Sequence, residues 1–246
     1  MAKPELREKP KEDAAMALAL CFKKQNSDEE NIESAREVLH KVYGAFGSRK
    51  LLAVSGKERE PEWILRKHLS TRERLPHYPQ IYKRIIGKSR FKGTIFDLGA
   101  GVNGFSIGFI PDMKYIGVEG IGQLVTLMNG YFKKQKLNAR AIHLSLFELK
   151  KIKKMIAKEK GRKIIFLFKV LDSLEALKRN YSKKLLAEIV PLAEKTIVSF
   201  STESMLKRKK FAAKRNWIID FINERFKILD DFEIGGERYI VFKREK

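Results

Sequence analysis

The chain has 246 residues, of which 43% are hydrophobic, so it can bury a sizeable core and is neither low-complexity nor wholly disordered. Its 52 Lys and Arg outnumber 30 Asp and Glu, and the formal net charge of +22 indicates a polyanionic partner, with nucleic acid as the leading candidate. A single cysteine and four scattered histidines argue against a disulfide framework and a metal site, and no apolar run could cross a membrane. We therefore expect a cytoplasmic protein without bound metal.

Helical periodicity dominates the first third of the chain. Residues 1–12 are charged and expected to be flexible, and helices are predicted over 13–24, 28–46, 60–69 and 71–86. No strand is predicted in this region. We assign residues 1–90 to an N-terminal helical domain and residues 91–246 to a second domain.

In the second domain, short apolar runs alternate with helical stretches. Strands are predicted over 94–98, 114–119, 138–143, 163–168 and 195–200, and helices near 120–136, 146–160, 181–191 and 204–224. Residues 226–233 and 237–243 flank Gly235-Gly236, which is typical of a hairpin. The sequence thus predicts an α/β fold with a mostly parallel sheet that ends in an antiparallel pair. Such a sheet suits a methyltransferase better than a nicotinamide dehydrogenase.

A glycine-rich loop follows the first predicted strand. Residues 97–104 read Asp-Leu-Gly-Ala-Gly-Val-Asn-Gly and satisfy the G-x-G-x-x-G pattern, and Glu119 lies 20 residues after Gly99. Glycines permit a tight turn and a close ligand approach, and the acidic residue can accept hydrogen bonds from ribose hydroxyls. Asp97 suits the ammonium group of S-adenosyl-L-methionine and would repel the pyrophosphate of a dinucleotide. The pattern favours S-adenosyl-L-methionine, with a dinucleotide site or a purely structural turn as alternatives.

The absence of certain residues from the sequence limits which kinds of atom could accept the methyl group. Cys21, the only cysteine, lies in a distant helix, whereas cytosine-C5 methylation needs a nucleophilic thiolate. Methylation of an exocyclic amine typically uses a proline-containing loop after the fourth strand, and no proline follows Phe168 there. A ring nitrogen such as guanine N7 has its own lone pair and needs only positioning. We therefore identify no catalytic acid or base.

Several segments resemble one known family. They are Val42-Tyr-Gly-Ala-Phe46, Arg66-Lys-His-Leu-Ser-Thr-Arg-Glu-Arg-Leu75, Asp97-Leu-Gly-Ala-Gly-Val-Asn103, Leu167-Phe-Lys-Val-Leu171, Thr196 to Ser204, Trp217 and the tail from Phe226 to Glu237. Over roughly residues 33–243 they are similar to the aminoglycoside-resistance 16S rRNA (guanine-N7) methyltransferases. The segment around His68 is the most specific, because it matches the family's His-x-Ser-Thr-(Lys/Arg)-Glu-Arg motif.

The resemblance implies a Rossmann-like class I methyltransferase domain with a seven-stranded sheet, preceded by a helical domain that docks on the small ribosomal subunit. It implies S-adenosyl-L-methionine as cofactor, 16S rRNA in the assembled subunit as partner, and N7 of a guanine in the decoding region as methyl acceptor. We expect a monomer. Arg72 would meet the cofactor carboxylate, Glu119 its ribose, and Lys169 would lie at the edge of the pocket. The complete predicted cofactor set is Arg72, Asp97, Gly99, Ala100, Gly101, Glu119, Leu146 and Lys169.

Three basic segments, at residues 49–92, 131–163 and 207–215, supply the predicted RNA contacts. The residues assigned to RNA are Arg66, Lys67, Arg74, Lys153, Lys154, Lys207 and Arg208. The lysine-rich stretch around Lys153 could equally be a solvated helix face. A catalytically silent RNA-binding or ribosome-assembly factor is the alternative function, and methylation of a small molecule or a protein is a third.

Some positions depart from the family or allow a simpler interpretation. Gly104 replaces a usual proline, Glu119 replaces a usual aspartate, and Ser145 lies near an expected acidic residue that contacts the adenine. The last departure leaves adenine recognition open. Ser70-Thr71-Arg72-Glu73 also has the form of a helix capping box, with Ser70 or Thr71 as the N-cap.

Overall fold

A computed structural model describes residues 10–43, 60–87, 92–110, 113–202 and 215–245. The helices are α1 (Lys11–Cys21), α2 (Asp28–Tyr43), α3 (Pro61–Lys67), α4 (Leu69–Arg74), α5 (Tyr78–Ile86), α6 (Gly122–Lys134), α7 (Leu149–Lys158), α8 (Leu171–Leu177), α9 (Tyr181–Ile189) and α10 (Asn216–Arg225). The strands are β1 (Gly93–Leu98), β2 (Lys114–Glu119), β3 (Ala139–His143), β4 (Arg162–Phe168), β5 (Lys195–Ser201), β6 (Phe226–Ile234) and β7 (Glu237–Arg244). Three 3₁₀ helices cover Leu75–His77, Asn103–Phe109 and Val190–Leu192.

The strands form one sheet in the order β3-β2-β1-β4-β5-β7-β6. The first five are parallel, and β7 runs antiparallel to both β5 and β6. The hairpin turns at Gly235 and Gly236, whose φ angles of 61° and 71° belong to the left-handed region that glycine adopts without strain. The predicted fold class, a mostly parallel seven-stranded sheet that ends in an antiparallel hairpin, is confirmed.

The helix predicted over residues 71–86 is divided into α4, a 3₁₀ turn and α5. Pro76 and Pro79 cause the division, because proline has no backbone N–H and restricts the residue before it. The preceding helix ends at Lys67, since His68 has the extended angles φ −102° and ψ 127°.

The predicted capping box at Ser70-Thr71-Arg72-Glu73 is wrong. Ser70 and Thr71 lie inside α4, which begins at Leu69 after His68. The Thr71 hydroxyl donates to the carbonyls of Leu65 and His68, at 2.7 and 3.1 Å. It therefore joins the ends of two helices instead of capping one.

Two further differences concern residues 91–246. The glycine loop leads into a 3₁₀ helix at Asn103–Phe109, and α8, which was not predicted, follows β4 directly. The helix predicted near 204–224 is described only as α10, because residues 203–214 lie outside the described ranges, as do residues 44–46 of the predicted second helix.

The N-terminal helices share their cores with the sheet. Leu65 of α3 and Ile85 of α5 belong to the same buried cluster as Phe166 of β4. Residues Ala17 of α1 and Leu39 of α2 pack against Leu177 of α8. This packing brings α1, α2 and α4 to the edge of the sheet where the parallel strands end. Within the described ranges, no helix is long and apolar enough to cross a membrane.

Candidate functional site

The carboxyl ends of the central parallel strands open into a cavity of about 770 Å³, including its mouth. Its walls are built from α1, α2, α4, the ends of β1, β2 and β4, the segment after β3, and α8. This is the edge at which open α/β sheets bind their ligands. No group of three His, Cys, Asp or Glu side chains among the described residues could hold a metal ion.

The glycine loop forms the floor of the cavity. Gly99 and Gly101 have φ angles of 79° and 54°, and a Cβ atom at Gly99 would lie only 2.6 Å from Val170 Cγ2. The loop is tied to Glu119, whose carboxylate accepts hydrogen bonds from the backbone N–H of Gly101 at 2.7 Å and of Ile121 at 2.8 Å. Burial raises the pKa of Glu119, although these hydrogen bonds lower it.

Asp97 lies at the end of β1 and is buried in the cavity wall. Its Oδ2 accepts hydrogen bonds from the Asn103 side-chain amide at 2.8 Å and from the Tyr115 hydroxyl at 2.7 Å. Burial raises the pKa of this carboxyl group. A bound cation would offset the cost of ionising Asp97 at this position, because an opposite charge favours the ionised form.

The structure places the two arginines of α4 in the reverse of their predicted positions. Arg72, assigned to the cofactor, is exposed and does not line the cavity. Arg74, assigned to RNA, is only 4% exposed and lines the cavity wall. Its Nε donates to both oxygens of Glu237, at 3.1 and 2.9 Å, and its Nη1 lies 3.4 Å from Asn103 Oδ1. A buried guanidinium cannot reach RNA phosphates, so the assignment of Arg74 to RNA is corrected, whereas the assignment of Arg72 to the cofactor stays a prediction that its position outside the cavity lining does not support.

Lys169 follows β4 and carries the second cation of this wall. Its Nζ lies 2.7 Å from Glu73 and 3.2 Å from Glu237, and the Ser199 hydroxyl also donates to Glu237. Burial alone would raise the pKa of Glu237, but the charges of Arg74 and Lys169 lower it. The two cations are therefore balanced by two carboxylates.

His68 lines the same wall and is 4% exposed. Burial, together with the charges of Arg74 and Lys169, lowers its pKa to about 3. The imidazole is therefore neutral at physiological pH.

The opposite wall contains residues that sequence reasoning missed. Asp13 of α1 is 3% exposed and accepts hydrogen bonds from the hydroxyls of Ser145 and Tyr43. Burial raises its pKa, against the effect of these two hydrogen bonds. The only sequence signal for this arrangement is Ser145 itself, which stands near a position where an acidic residue was expected. Leu146, from the predicted cofactor set, lies beside Ser145 and lines the cavity.

The structure brings seven of the eight predicted cofactor residues to this cavity: Asp97, Gly99, Ala100, Gly101, Glu119, Leu146 and Lys169. Their contacts with a cofactor stay a prediction.

Four of the predicted RNA-binding residues lie on the surface. Arg66 pairs with Glu62 at 3.3 Å, and the Nζ of Lys67 lies 5.0 Å from the centre of the Trp63 ring. On α7, Lys154 is exposed and Lys153 forms an ion pair with Glu188. Arg74 is buried, as described above, and Lys207 and Arg208 lie outside the described residues.

Known proteins resemble the chain in sequence and in structure, although no protein-family model matches it. The 16S rRNA (guanine(1405)-N(7))-methyltransferase of Micromonospora rosea is 24% identical over an alignment of 237 positions, and the match covers 86% of this chain and 82% of that protein. The chain has the class I methyltransferase fold, and its resemblance to the 16S rRNA methyltransferases is confirmed.

Solved structures extend the similarity to nearly the whole chain. The 16S rRNA methyltransferase RmtF, in complex with S-adenosyl-L-homocysteine, matches with a TM-score of 0.78 and 23% identity, over 99% of this chain and 95% of its own. The 16S rRNA methylase RmtB matches with a TM-score of 0.76 and 20% identity, over 99% of this chain and 94% of its own. The shared fold therefore includes the N-terminal helices as well as the sheet.

Proposed function

We propose that this protein is an S-adenosyl-L-methionine-dependent methyltransferase that modifies N7 of a guanine in 16S rRNA. The observation that carries the proposal is the cavity at the strand ends, where a buried carboxylate, a glycine floor and two balanced cations lie together. The similarity to the Micromonospora rosea enzyme supports the substrate, and guanine 1405, which that enzyme modifies, is the first nucleotide to examine.

The residues around the cavity fit S-adenosyl-L-methionine. Gly99 and Gly101 line the cavity with backbone, and the side chains of Val170 and His68 lie next to them. Asp97 would hold the ammonium group, Arg74 and Lys169 the carboxylate, and Glu119 the ribose hydroxyls. When bound, the cofactor supplies a methyl group on a positively charged sulfur.

The chain has little acid–base chemistry to perform in this reaction. Guanine N7 already offers a lone pair, so no proton has to be removed before the methyl group moves. His68 is neutral because its pKa is about 3, and it adds no third cation beside Arg74 and Lys169. The task of the protein is to hold cofactor and base in line and to exclude water.

We further propose that the surface basic residues Arg66, Lys67, Lys153 and Lys154 contact rRNA phosphates, with residues 1–90 docking on the assembled small subunit and the protein acting as a monomer. The net charge of +22 and the exposure of Arg66 and Lys154 support this proposal. Phosphate contacts are strongly salt-dependent, so binding should weaken steeply as salt is added.

The test is to incubate purified small ribosomal subunits with the protein and methyl-labelled cofactor, and to map the modified base by mass spectrometry. We expect one 7-methylguanine in 16S rRNA. Transfer to protein or to small molecules in the absence of RNA would reject the proposal, and so would binding of subunits without any transfer.

A matched pair of double variants separates the RNA surface from the cofactor cavity. Arg66→Ala with Lys67→Ala should retain affinity for S-adenosyl-L-homocysteine and lose most rRNA methylation. Lys227→Ala with Arg244→Ala removes the same charge from exposed positions of β6 and β7 and should leave both the ligand affinity and the rRNA methylation unchanged. Equal loss of methylation in both pairs would indicate a general charge effect instead of a defined RNA surface.

A further inference from the structure

The end of the cavity beside β2 and β3 contains a buried carboxylate that has no assigned role. Asp13 reaches this end from α1, at the start of the described chain, and lines the cavity with Tyr43 and Leu146. Its Oδ1 accepts a hydrogen bond from Ser145 and its Oδ2 accepts one from Tyr43. Each carboxylate oxygen has two lone-pair sites, so both retain capacity for one more donor.

The order of the strands shows which part of the cofactor would meet Asp13. Arg74 and Lys169 lie at the β4 side of the cavity, and Glu119 lies at the end of β2. A cofactor with its carboxylate at the first pair and its ribose at Glu119 must extend its adenine toward β3. The segment after β3 contains Ser145, to which Asp13 is hydrogen bonded.

The position of Asp13 beside Glu119 is fixed by Tyr43. A Cβ atom at Gly120 would lie 2.9 Å from the Tyr43 hydroxyl, so Tyr43 packs directly on the residue after Glu119. The same hydroxyl donates to Asp13. The ribose acceptor and the Asp13 carboxylate are therefore neighbours along one wall of the cavity.

We propose that Asp13 is the residue that recognises the adenine 6-amino group, accepting a hydrogen bond from it, and that α1 is thereby part of the cofactor site. The proposal rests on the proposed function and assigns a specificity-determining residue within it. It accounts for Ser145, whose hydroxyl holds the carboxylate supplied by another element.

The alternative is that Asp13 only fastens α1 to the body of the protein through Ser145 and Tyr43. The two roles differ in a measurable way. A fastening role affects every ligand of the cavity equally, whereas recognition of the amino group affects only ligands that carry it.

The experiment is isothermal titration calorimetry with two ligands, S-adenosyl-L-homocysteine and its analogue with unsubstituted purine in place of adenine. The wild-type protein should bind the adenine form at least about ten-fold more tightly, as a hydrogen bond to a charged group provides. In Asp13→Ala the preference should fall below about three-fold. Glu12→Ala, which removes an exposed acid from the same helix, should keep the wild-type preference.

Each outcome is decisive because the ratio of two affinities is measured in one protein. An unchanged ratio in Asp13→Ala, with both ligands weakened, would overturn the proposal in favour of a fastening role. Equal affinity of the wild type for both ligands would also overturn it. If Asp13→Ala fails to fold, Asp13→Leu fills the same space without an acceptor oxygen, and an unchanged ratio there has the same meaning. If the wild type binds neither ligand, the proposed function itself is rejected, and this proposal with it.

Discussion

Replacing Arg74 by methionine is the most direct test of the corrected site. The change keeps the length of the side chain but removes a guanidinium that is 4% exposed and donates to both oxygens of Glu237. Breaking a buried ion pair typically costs about 3–5 kcal/mol of unfolding free energy. We expect about 3 kcal/mol, the lower end of that range, because Lys169 remains 3.2 Å from Glu237. Domains of this size are usually stable enough to remain folded after such a loss.

The same substitution should weaken the binding of S-adenosyl-L-homocysteine. A hydrogen bond to a charged group contributes about 1.5–3 kcal/mol, which corresponds to roughly ten- to hundred-fold in affinity. Urea denaturation measures the stability and titration calorimetry measures the affinity. Arg74→Lys keeps the positive charge but lacks the planar guanidinium group. Its unfolding free energy and its ligand affinity should both lie between those of the wild type and Arg74→Met.

Arg72→Met is the matched control, since it removes the same group two residues earlier on the same helix. Arg72 is exposed, so its replacement should change the unfolding free energy by less than about 0.5 kcal/mol and leave the affinity unchanged. Loss of ligand affinity in Arg72→Met with retention in Arg74→Met would refute the assignment and restore the one based on sequence.

Two further predictions concern other parts of the cavity. The folded pKa of His68, about 3, lies below the unfolded value near 6.5, so stability falls as the pH drops from about 6.5 toward 3. Between pH 7.5 and pH 5 the unfolding free energy of the wild type should fall by about 2 kcal/mol more than that of His68→Gln. His40→Gln, at an exposed position, should show the same fall as the wild type. Equal falls in His68→Gln and the wild type would contradict the reasoning. Gly99→Ala should abolish binding of S-adenosyl-L-homocysteine because its Cβ would meet Val170, whereas Gly161→Ala, at a similar φ of 80° with nothing within 4 Å, should lose only stability. Retained binding in Gly99→Ala would show that the floor of the cavity can move aside.

The fold could be predicted from the sequence because its signals are local. The strand runs are apolar and bounded by turns, and Gly235-Gly236 specifies the hairpin by its backbone freedom. The helix over residues 71–86 was predicted as continuous because its apolar periodicity passes through Pro76 and Pro79. The periodicity reports which face is buried, whereas the prolines determine where the backbone breaks.

The exchange of Arg72 and Arg74 has a simple geometric cause. Residues on an α-helix are about 100° apart, so two positions along the chain are separated by about 200°, almost opposite faces. The motif indicates that an arginine of α4 faces the ligand, but choosing between the two depends on the rotation of the helix. That rotation is set by contacts with Glu237 and Asn103, which lie 163 and 29 residues away in the chain. A pairing over such a separation is not readable from one sequence.

Asp13 was not predictable for a related reason, and its discovery changes the electrostatic description of the molecule. The chain as a whole has a net charge of +22, yet the cavity concentrates the carboxyl groups of Asp13, Asp97 and Glu119. Burial raises the pKa of all three, so ionising each of them costs more free energy in the folded protein than in water. A protein that only bound RNA would gain nothing from this cost, because phosphates contact the outer surface. A ligand with an ammonium group, ribose hydroxyls and an adenine amine would offset this ionisation cost, because these groups would meet Asp97, Glu119 and Asp13, respectively. These three buried carboxyl groups, in a cavity that Arg74 and Lys169 also line, therefore favour a methyltransferase over a catalytically silent RNA-binding factor.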